Sequence, residues 1–332
     1  MRVAITGGTG FLGSHLVRRF LADGHSVAAL ARNPDKAAQL PEAADTVLGD
    51  INDGAAVDRL VDRAEVVIHT VSNFRVASGP PESYRRINVE GTRNVLEAAF
   101  RANARRFVHC STIGVHGHVA VTPGDEDAPY NPGDLYQETK LEAEQLVRSR
   151  AGTTGTEIVV VRPCSMYGPG DLRMLKMFRM LTKGRFFKVG PCRENFHACF
   201  IDDVVEGFVA AATRPDIDGE VFIVGGDGFL PLDEYIDTAA RAVGAAPPKI
   251  RLPYGAMHAA AWACERLCVP LRIEPPLHVR RLRFFRNNRA FSIDKARRVL
   301  GYEPRVALEE GMRRTVEWYR SSGLLPNGAH PR

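Results

Sequence analysis

Apolar and polar positions follow two different rhythms in the first half of the chain. Short apolar runs rich in β-branched residues predict strands at residues 3–6, 27–31, 46–48, 66–71, 107–111 and 158–162, because strands buried on both faces are almost continuously apolar. Helical spacing between these runs predicts helices from about Phe11, from Ala55, over residues 84–102 and over residues 135–150. This alternation is typical of the α/β class. We therefore expect a doubly wound parallel sheet.

The rhythm loosens after Arg162, where proline and glycine become frequent. One further apolar run, at residues 221–224, predicts a strand that returns to the sheet. The remainder predicts a smaller, interleaved C-terminal lobe that binds the substrate. We expect residues 1–163 to form the nucleotide-binding domain, with residues 198–224 returning to it. Residues 164–197 and 225–332 would then form mainly the substrate lobe.

Composition and charge narrow the class of protein. The 332 residues are 45% hydrophobic and 25% charged, which excludes a disordered or fibrous chain. The formal charge of +5 comes without a long basic arm or reader motif, so no nucleic-acid partner is expected. The six cysteines are scattered and form no zinc-type pairs of motifs, so no metal is expected. With neither a signal sequence nor an apolar run of about 20 residues, the expected location is cytoplasmic.

A glycine loop follows the first predicted strand and leads into the first helix. Its glycines are Gly7, Gly10 and Gly13. In such a loop the first glycine permits a tight turn, the second lets the backbone approach a pyrophosphate, and the third lets helix and strand pack closely. The helix N-terminus beyond adds free N–H groups and a partial positive charge. This context predicts a Rossmann-type dinucleotide site; a plain tight turn is the alternative.

The end of the second predicted strand tests which dinucleotide binds. An acidic residue there would accept the ribose hydroxyls of NAD, but the strand ends at Ala31 and is followed by Arg32. A guanidinium can grip a 2′-phosphate through several donors. NADP(H) is therefore the preferred cofactor, although NAD(H) can also serve and Arg32 could be a solvated surface residue. Asp50 and Ile51 are placed to meet the adenine, and Asp50 could equally be a turn or cap residue.

A tyrosine and a lysine, Tyr136 and Lys140, lie four residues apart on one helical face. A phenol with a pKa of about 10 is a poor base at neutral pH. We expect the Lys140 ammonium and an oxidised nicotinamide ring to favour the phenolate and lower the pKa of Tyr136. Lys140 can also hold the nicotinamide ribose. Ser111 and Thr112 end the fifth predicted strand, at the edge of the sheet where ligands bind.

These segments together resemble the extended short-chain dehydrogenases/reductases, the epimerase/dehydratase branch of that superfamily. Matching segments run along nearly the whole chain, at residues 6–13, 50–51, 69–72, 88–92, 110–117, 136–140, 162–163, 167–170 and 200–204. The resemblance implies a catalytic triad of Thr112, Tyr136 and Lys140. It also implies a homodimer formed through the two helices that hold Asn88 and Tyr136.

The same resemblance divides the remaining candidate site residues between contacts with the cofactor and contacts with the substrate. Besides those already named, the expected cofactor contacts are Phe11, Leu12, Thr70, Val71, Asn88, Pro163 and Ser165. The expected substrate contacts are Ser111, Asn73, His116, Met166 and His197.

Departures from the family pattern bear on the reaction. Family 4,6-dehydratases carry an aspartate and a glutamate directly after the catalytic threonine, but here Ile113 and Gly114 stand there and cannot transfer protons. This argues against a dehydratase. His116 replaces a usual tyrosine and could contact substrate or be a tolerated aromatic substitute. Epimerases usually place an arginine shortly before residues 201–203; His197 could serve instead, or it could be structural.

An arginine-rich segment covers residues 277–289. It holds Phe284 and Phe285 among the arginines 280, 281, 283, 286 and 289, with no acidic residue. Three interpretations stay open: a polyphosphate clamp over the site, a face for an anionic membrane, or a solvated basic surface with both phenylalanines packed inward.

The leading hypothesis is NADP(H)-dependent interconversion of a secondary alcohol and a ketone in a small-molecule substrate. In it Tyr136 is the acid/base, Thr112 orients the substrate oxygen, and Lys140 tunes Tyr136 and holds the ribose. The main alternative is a nucleotide-sugar epimerase with tightly bound NAD. A non-catalytic, redox-sensing scaffold is a third class, against which the intact Tyr136 and Lys140 argue.

Overall fold

The structure is a computed structural model that describes residues 1–74, 81–268, 275, 277 and 279–327. Its strands are β1 (Arg2–Thr6), β2 (Ser26–Ala31), β3 (Asp45–Leu48), β4 (Val66–His69), β5 (Arg106–Cys110), β6 (Glu157–Pro163), β7 (Ser165–Tyr167), β8 (Lys188–Val189), β9 (Asn195–Phe196), β10 (Ala198–Phe200), β11 (Val221–Val224), β12 (Leu230–Pro231) and β13 (Arg251–Leu252).

The helices lie between these strands and after them. They are α1 (Phe11–Ala22), α2 (Pro34–Ala37), α3 (Gly54–Val61), α4 (Glu82–Arg85), α5 (Gly91–Arg101), α6 (Leu135–Arg148), α7 (Leu175–Thr182), α8 (Ile201–Thr213), α9 (Leu232–Ala242), α10 (Tyr254–Cys268), α11 (Val279–Leu282) and α12 (Leu308–Ser321). No helix within the described residues is both long enough and apolar enough to cross a bilayer.

A seven-stranded sheet in the order β11-β6-β5-β4-β1-β2-β3 forms the centre of the fold. Every neighbouring pair in it is parallel, so the predicted Rossmann-type fold is confirmed. Strand β4 ends two residues earlier than predicted. The Thr70 backbone N–H and hydroxyl donate to the Thr6 side chain and carbonyl, at 3.1 and 2.7 Å, and these bonds turn the chain out of the sheet.

Both faces of the sheet are buried, as the apolar runs predicted. Val3 and Ile5 of β1 pack into one core with helices α1 and α8. Ala4, between them, faces a second core that contains α3 and α5. Since successive strand residues point to opposite faces, this division places helices on both sides of the sheet.

The helix predicted over residues 84–102 is interrupted. Helices α4 and α5 are joined by a turn of π-helix at Arg86–Glu90, which holds one residue more per hydrogen-bonded ring than an α-helix. Asn88 lies in this turn and is fully buried.

Short strand pairs supply the rest of the fold. Strands β7 and β10 pair in parallel, β9 and β12 pair antiparallel, and β8 and β13 pair in parallel. Helix α9 packs on α7 and α12, and α10 packs on α11. The proposed division of the chain into a nucleotide-binding domain and a substrate lobe stays a prediction.

Candidate active site

The glycine loop has the geometry of an anion cradle. Gly7 has φ of +70°, in the region that favours glycine. A Cβ at Gly13 would lie 2.0 Å from the Gly7 carbonyl oxygen, so helix α1 can start against the loop only with a glycine there. Gly10 caps α1 without a side-chain hydrogen bond. The first N–H groups of α1 therefore have no side-chain cap and fit a pyrophosphate.

At the other end of this candidate cofactor site, Arg32 lies beside Asp50. Their closest charged atoms are 3.7 Å apart, and the Arg32 side chain is 72% exposed. Asp50 also accepts hydrogen bonds from the backbone and side chain of Asn52, at 2.9 and 2.8 Å. Although burial raises the pKa of Asp50, these hydrogen bonds and the Arg32 charge bring it below its usual value. Asp50 thus makes a turn and faces a cation, while Ile51 is buried against Gly91.

A chain of buried hydrogen bonds runs from the glycine loop into the π-helical turn. Thr6 accepts from the Thr70 N–H, and Thr92 donates its hydroxyl to the Asn88 carbonyl. The His69 imidazole lies between them, 2.8 Å from Thr6 Oγ1 and 2.9 Å from Thr92 Oγ1. Since the Thr92 proton is already used, His69 Nε2 donates to Thr92, and Nδ1 accepts from Thr6. Burial lowers the pKa of His69 to about 3, which keeps the ring neutral.

Asn88 forms hydrogen bonds with both the loop after β4 and helix α6, which holds Tyr136 and Lys140. Its Oδ1 accepts from the Asn73 N–H at 2.6 Å, and its Nδ2 donates to Thr139 Oγ1 at 2.9 Å. The side chain of Asn73 is also buried and donates to Ser83. Asn88 and Asn73 are therefore buried and bonded within the protein, and their predicted contacts with coenzyme and substrate stay predictions.

Tyr136 and Lys140 lie in the first turns of α6, which Asp134 caps by accepting from Gln137 N at 3.0 Å. The Tyr136 ring meets Phe74 edge to face, with ring centres 4.7 Å apart. Burial raises the pKa of Tyr136, and the Arg173 charge and a hydrogen bond with Ser72 offset only part of that rise.

The Lys140 ammonium donates to the Cys110 carbonyl at 2.6 Å and lies 3.5 Å from His109 Nε2. Burial lowers the pKa of Lys140. The prediction that Lys140 lowers the pKa of Tyr136 is therefore not met by the protein's own groups, which shift that pKa upward.

The two hydroxyls at the end of β5 have different environments. Thr112 is half-buried, and its Oγ1 accepts from Gly114 N at 3.0 Å, which leaves its proton for a ligand oxygen. Ser111 is buried and donates to Glu144 Oε2 at 2.5 Å. Thr112 therefore stays the candidate hydroxyl. Ser111 bonds to a buried carboxylate, and its contact with substrate stays a prediction.

That carboxylate belongs to a buried ion pair. Glu144 binds Arg162 through Nε at 3.0 Å and Nη2 at 2.5 Å, and both side chains are fully buried. Arg162 also donates to His116 Nε2 at 2.8 Å and to the Tyr130 hydroxyl at 2.9 Å. His116 is fully buried and stacks on Tyr130. These contacts favour the structural interpretation of His116, and its contact with substrate stays a prediction.

His197 is buried as well. Its side chain is 1% exposed, its Nε2 lies 3.0 Å from the Gly226 carbonyl, and a Cβ at Gly225 would lie 2.6 Å from the same nitrogen. Because the backbone covers the ring, the structure favours the structural interpretation of His197, and its contact with substrate stays a prediction.

Arg173, two residues before α7, contacts Phe11 of the glycine loop, and sequence reasoning missed it. Its guanidinium lies 5.1 Å from the centre of the Phe11 ring. It pairs with Asp171 at 2.7 Å and donates to the Met166 carbonyl at 2.8 Å. Its charge also lowers the pKa of Tyr136, so Phe11, Met166 and Tyr136 lie around one cation. The sequence feature that could have indicated Arg173 is its position three residues after Gly170, at the end of a turn in the matching segment 167–170.

The other predicted cofactor contacts lie near the carboxyl ends of the strands. Thr70 and Val71 follow β4 and approach Gly7. Pro163 ends β6, and Ser165 begins β7 with its N–H donating to the His197 carbonyl at 3.0 Å. Leu12 is buried in the core, so only its backbone can face a pyrophosphate.

The arginine-rich segment is described only in part. Phe284 and Phe285 pack against the main core, as the third interpretation predicted. Arg286 lies over the Tyr254 ring, and Arg289 lies over Phe284. The side chains of the other three arginines lie outside the described residues, so the clamp and membrane interpretations stay untested. Within the described part of the chain, no three histidine, cysteine or acidic side chains form a metal-binding group.

Comparison with known proteins agrees with this geometry. Residues 3–225 match the NAD dependent epimerase/dehydratase family. The 3-beta-hydroxysteroid dehydrogenase of Mycolicibacterium neoaurum is 33% identical, with 99% of this chain and 95% of that protein aligned. The UDP-glucose 4-epimerase of Mycolicibacterium smegmatis is 32% identical, with 97% and 99% aligned. The structure of DesIV, the dTDP-glucose 4,6-dehydratase from Streptomyces venezuelae with NAD and TYD bound, matches with a TM-score of 0.76 and 25% identity over 97% of both chains.

Proposed function

Since this chain belongs to the NAD dependent epimerase/dehydratase family, we propose that it interconverts a secondary alcohol and a ketone with NADP(H) as a dissociable coenzyme. The chain is an extended short-chain dehydrogenase/reductase and an oxidoreductase, like its hydroxysteroid dehydrogenase relatives. The observation that carries the proposal is that Lys140, one helical turn after Tyr136 on α6, bonds to the Cys110 carbonyl at the end of β5, two residues before Thr112.

Each residue has a stated task in this reaction. The coenzyme supplies or accepts the hydride. Thr112 donates its free hydroxyl proton to the substrate oxygen, because its lone pair already accepts from Gly114. Tyr136 transfers the proton to or from that oxygen. Its raised pKa keeps it protonated in the protein alone, which suits the acid needed for ketone reduction.

Phe74 supports an apolar substrate. Its side chain is 38% exposed and lies edge to face against the catalytic phenol. An exposed aromatic ring beside the reacting group favours a ketone on an apolar skeleton, such as that of the hydroxysteroid dehydrogenase relatives.

The second candidate is a nucleotide-sugar epimerase, favoured by 32% identity to the UDP-glucose 4-epimerase over nearly the whole of both chains. Two observations count against it. The described residues 195–200 hold no arginine, and the backbone of Gly225 and Gly226 covers His197.

The test is a coenzyme assay with a panel of hydroxysteroids, their ketones and small aliphatic ketones, run beside UDP-glucose and UDP-galactose. We expect NADPH oxidation or NADP reduction with at least one ketone or alcohol. Tyr136→Phe should lower that rate about a thousandfold, within the usual range for a proton-transfer group, and leave the melting temperature within a few degrees. Conversion of UDP-glucose to UDP-galactose with no net coenzyme turnover would overturn the reductase proposal.

Three further features belong to the same proposal. We propose that Arg32 selects NADP(H), that the chain forms a homodimer through the helices holding Asn88 and Tyr136, and that it works in the cytoplasm. We also propose that the chain divides near residue 163, with the coenzyme bound by the first part and the substrate largely by the second. Sedimentation velocity tests the dimer, since a monomer at micromolar concentration would contradict it.

A further inference from the structure

Directly behind Lys140 lies a buried histidine to which the reaction assigns no task. His109 is fully buried on β5, in register with His69 on β4, and the two rings stack with centres 5.6 Å apart. No acceptor among the described residues lies within hydrogen-bond distance of His109 Nδ1. Buried polar atoms without partners are rare, so the ring calls for an explanation.

The contact of the other ring nitrogen, Nε2, explains why Nδ1 has no partner among the described residues. His109 Nε2 lies 3.5 Å from the Lys140 ammonium, which can only donate. Nε2 must therefore be the acceptor, and the ring proton must sit on Nδ1, where no described residue accepts it. The opposite tautomer would point an N–H at an ammonium, and a protonated ring would bring two buried cations together. Burial and the charge of Lys140 both lower the pKa of His109, in agreement with a neutral ring.

We propose that His109 is a positioning residue for Lys140, holding its ammonium through Nε2 as the neutral Nδ1–H tautomer. An ammonium has three N–H donors. The Cys110 carbonyl takes one at 2.6 Å and His109 takes a second, so β5 leaves the third for the coenzyme and the Tyr136 side of the site. The inference rests on the proposed function, because it takes Tyr136 and Lys140 as the working pair.

The ionisable groups around this arrangement come from several elements. They are His69 on β4, Cys110 on β5, Tyr136 and Glu144 on α6, and Arg173 before α7. Without the His109 acceptor, the charged form of Lys140 loses a hydrogen bond while its burial stays, so its pKa falls further. In the proposed reaction, with the coenzyme bound, a charged Lys140 favours the Tyr136 phenolate, so a less charged Lys140 would stabilise that phenolate less. The pH at which alcohol oxidation reaches its plateau should therefore rise.

The first experiment needs no turnover. Long-range ¹H–¹⁵N correlation spectra of the full chain labelled at histidine report the tautomer of each ring, and His109→Gln assigns the His109 signals by their loss. We expect His109 as the Nδ1–H tautomer with no titration between pH 5 and 9. The Nε2–H tautomer, or a titration in that range, overturns the proposal even if no substrate has been found.

The second experiment separates positioning from packing. His109→Phe keeps an aromatic ring on His69 but removes the acceptor, whereas His109→Gln keeps an acceptor. We expect His109→Phe to lower kcat/KM for oxidation about tenfold at pH 7 and less than twofold on the alkaline plateau, as a rise of about one pKa unit requires. His109→Gln should stay within about threefold of the wild type.

Val108→Ala is the matched control, since Val108 lies on the same strand but in the core on the opposite face. It should lower the melting temperature without moving the pH profile. An equal loss at every pH for His109→Phe would mean packing alone and would overturn the proposal. If no alcohol or ketone reacts, the proposed function fails while the NMR result still decides on His109.

Discussion

Replacing Glu144 by glutamine should destabilise the protein far more than the loss of a surface charge. Glutamine keeps the shape of the side chain and can still accept from Ser111 and Arg162, but it leaves the fully buried Arg162 guanidinium without a counter-charge. Breaking a buried pair on one side costs about 3–5 kcal/mol. With an unfolding entropy of about 2.1 cal/mol/K per residue, 332 residues give about 0.7 kcal/mol/K, so the melting temperature should fall by about 4–7 °C.

Glu142 provides the control on the same helix. It also loses an ion pair, to Arg85, when changed to glutamine, but its side chain is 43% exposed. A surface pair of this kind contributes about 0–1 kcal/mol, so Glu142→Gln should move the melting temperature by about 1 °C or less. Differential scanning calorimetry of the two variants in one buffer makes the comparison. Equal shifts for both would refute the argument that burial makes the Glu144 pair expensive to break.

The same pair predicts a pH dependence of stability. Burial raises the pKa of Glu144, but the hydrogen bonds and charge of Arg162 bring it below its usual value. A depressed folded pKa contributes stability above the unfolded value of about 4.3, and that stability is lost as the pH falls through the folded pKa. The difference between wild type and Glu144→Gln should therefore shrink below about pH 4.3. A difference that stays constant down to the acid transition would contradict the assigned pKa direction.

Two further predictions concern the coenzyme. Arg32→Ala should weaken NADP(H) binding about tenfold or more and leave NAD(H) binding within about threefold, because a charge-assisted contact to the 2′-phosphate is lost. Titration of coenzyme fluorescence measures both dissociation constants. The control is Arg63→Ala, which changes an exposed arginine paired with Asp62 and should alter neither constant. Gly13→Ala should abolish coenzyme binding and lower the melting temperature, because the new Cβ would lie 2.0 Å from the Gly7 carbonyl oxygen. The control is Gly54→Ala, whose new Cβ would have no atom within 4 Å and which should leave stability unchanged or slightly raise it. Tight binding by Gly13→Ala would mean that the loop can move away from α1.

The sheet could be predicted from the sequence because its signal is local. Apolar runs rich in β-branched residues mark strands buried on both faces, and all seven strands of the sheet lie where these runs predicted them. The end of β4 could not be predicted in this way, because the Thr70 hydroxyl bonds to the Thr6 carbonyl 64 residues away. The π-helical turn at Arg86–Glu90 was missed as well, since its apolar spacing resembles that of an ordinary helix.

In the site, too, local features could be predicted from the sequence and long-range contacts could not. The glycine loop, Thr112 and the Tyr136–Lys140 pair are readable because their meaning depends on short spacings and on a position after a strand. The hydrogen-bond partners of Ser111, His116 and His197 could not be predicted because they come from distant parts of the chain: Glu144, Arg162 and the Gly226 carbonyl. A polar residue at the edge of a sheet has the same local pattern whether it faces a ligand or a buried charge. Only the fold distinguishes the two.

The π-helical turn restricts how the length of this segment can change. A π-turn is an α-helix with one extra residue per turn, so deleting Ile87 would let α4 and α5 join as one regular helix. The apolar faces of α4 and α5 would stay aligned, but the widened turn that holds Asn88 would be lost. The carboxamide of Asn88, which now bonds to both Asn73 and Thr139, would then no longer reach both partners. Insertions and deletions here should therefore be tolerated far less in functional variants than substitutions at the same positions.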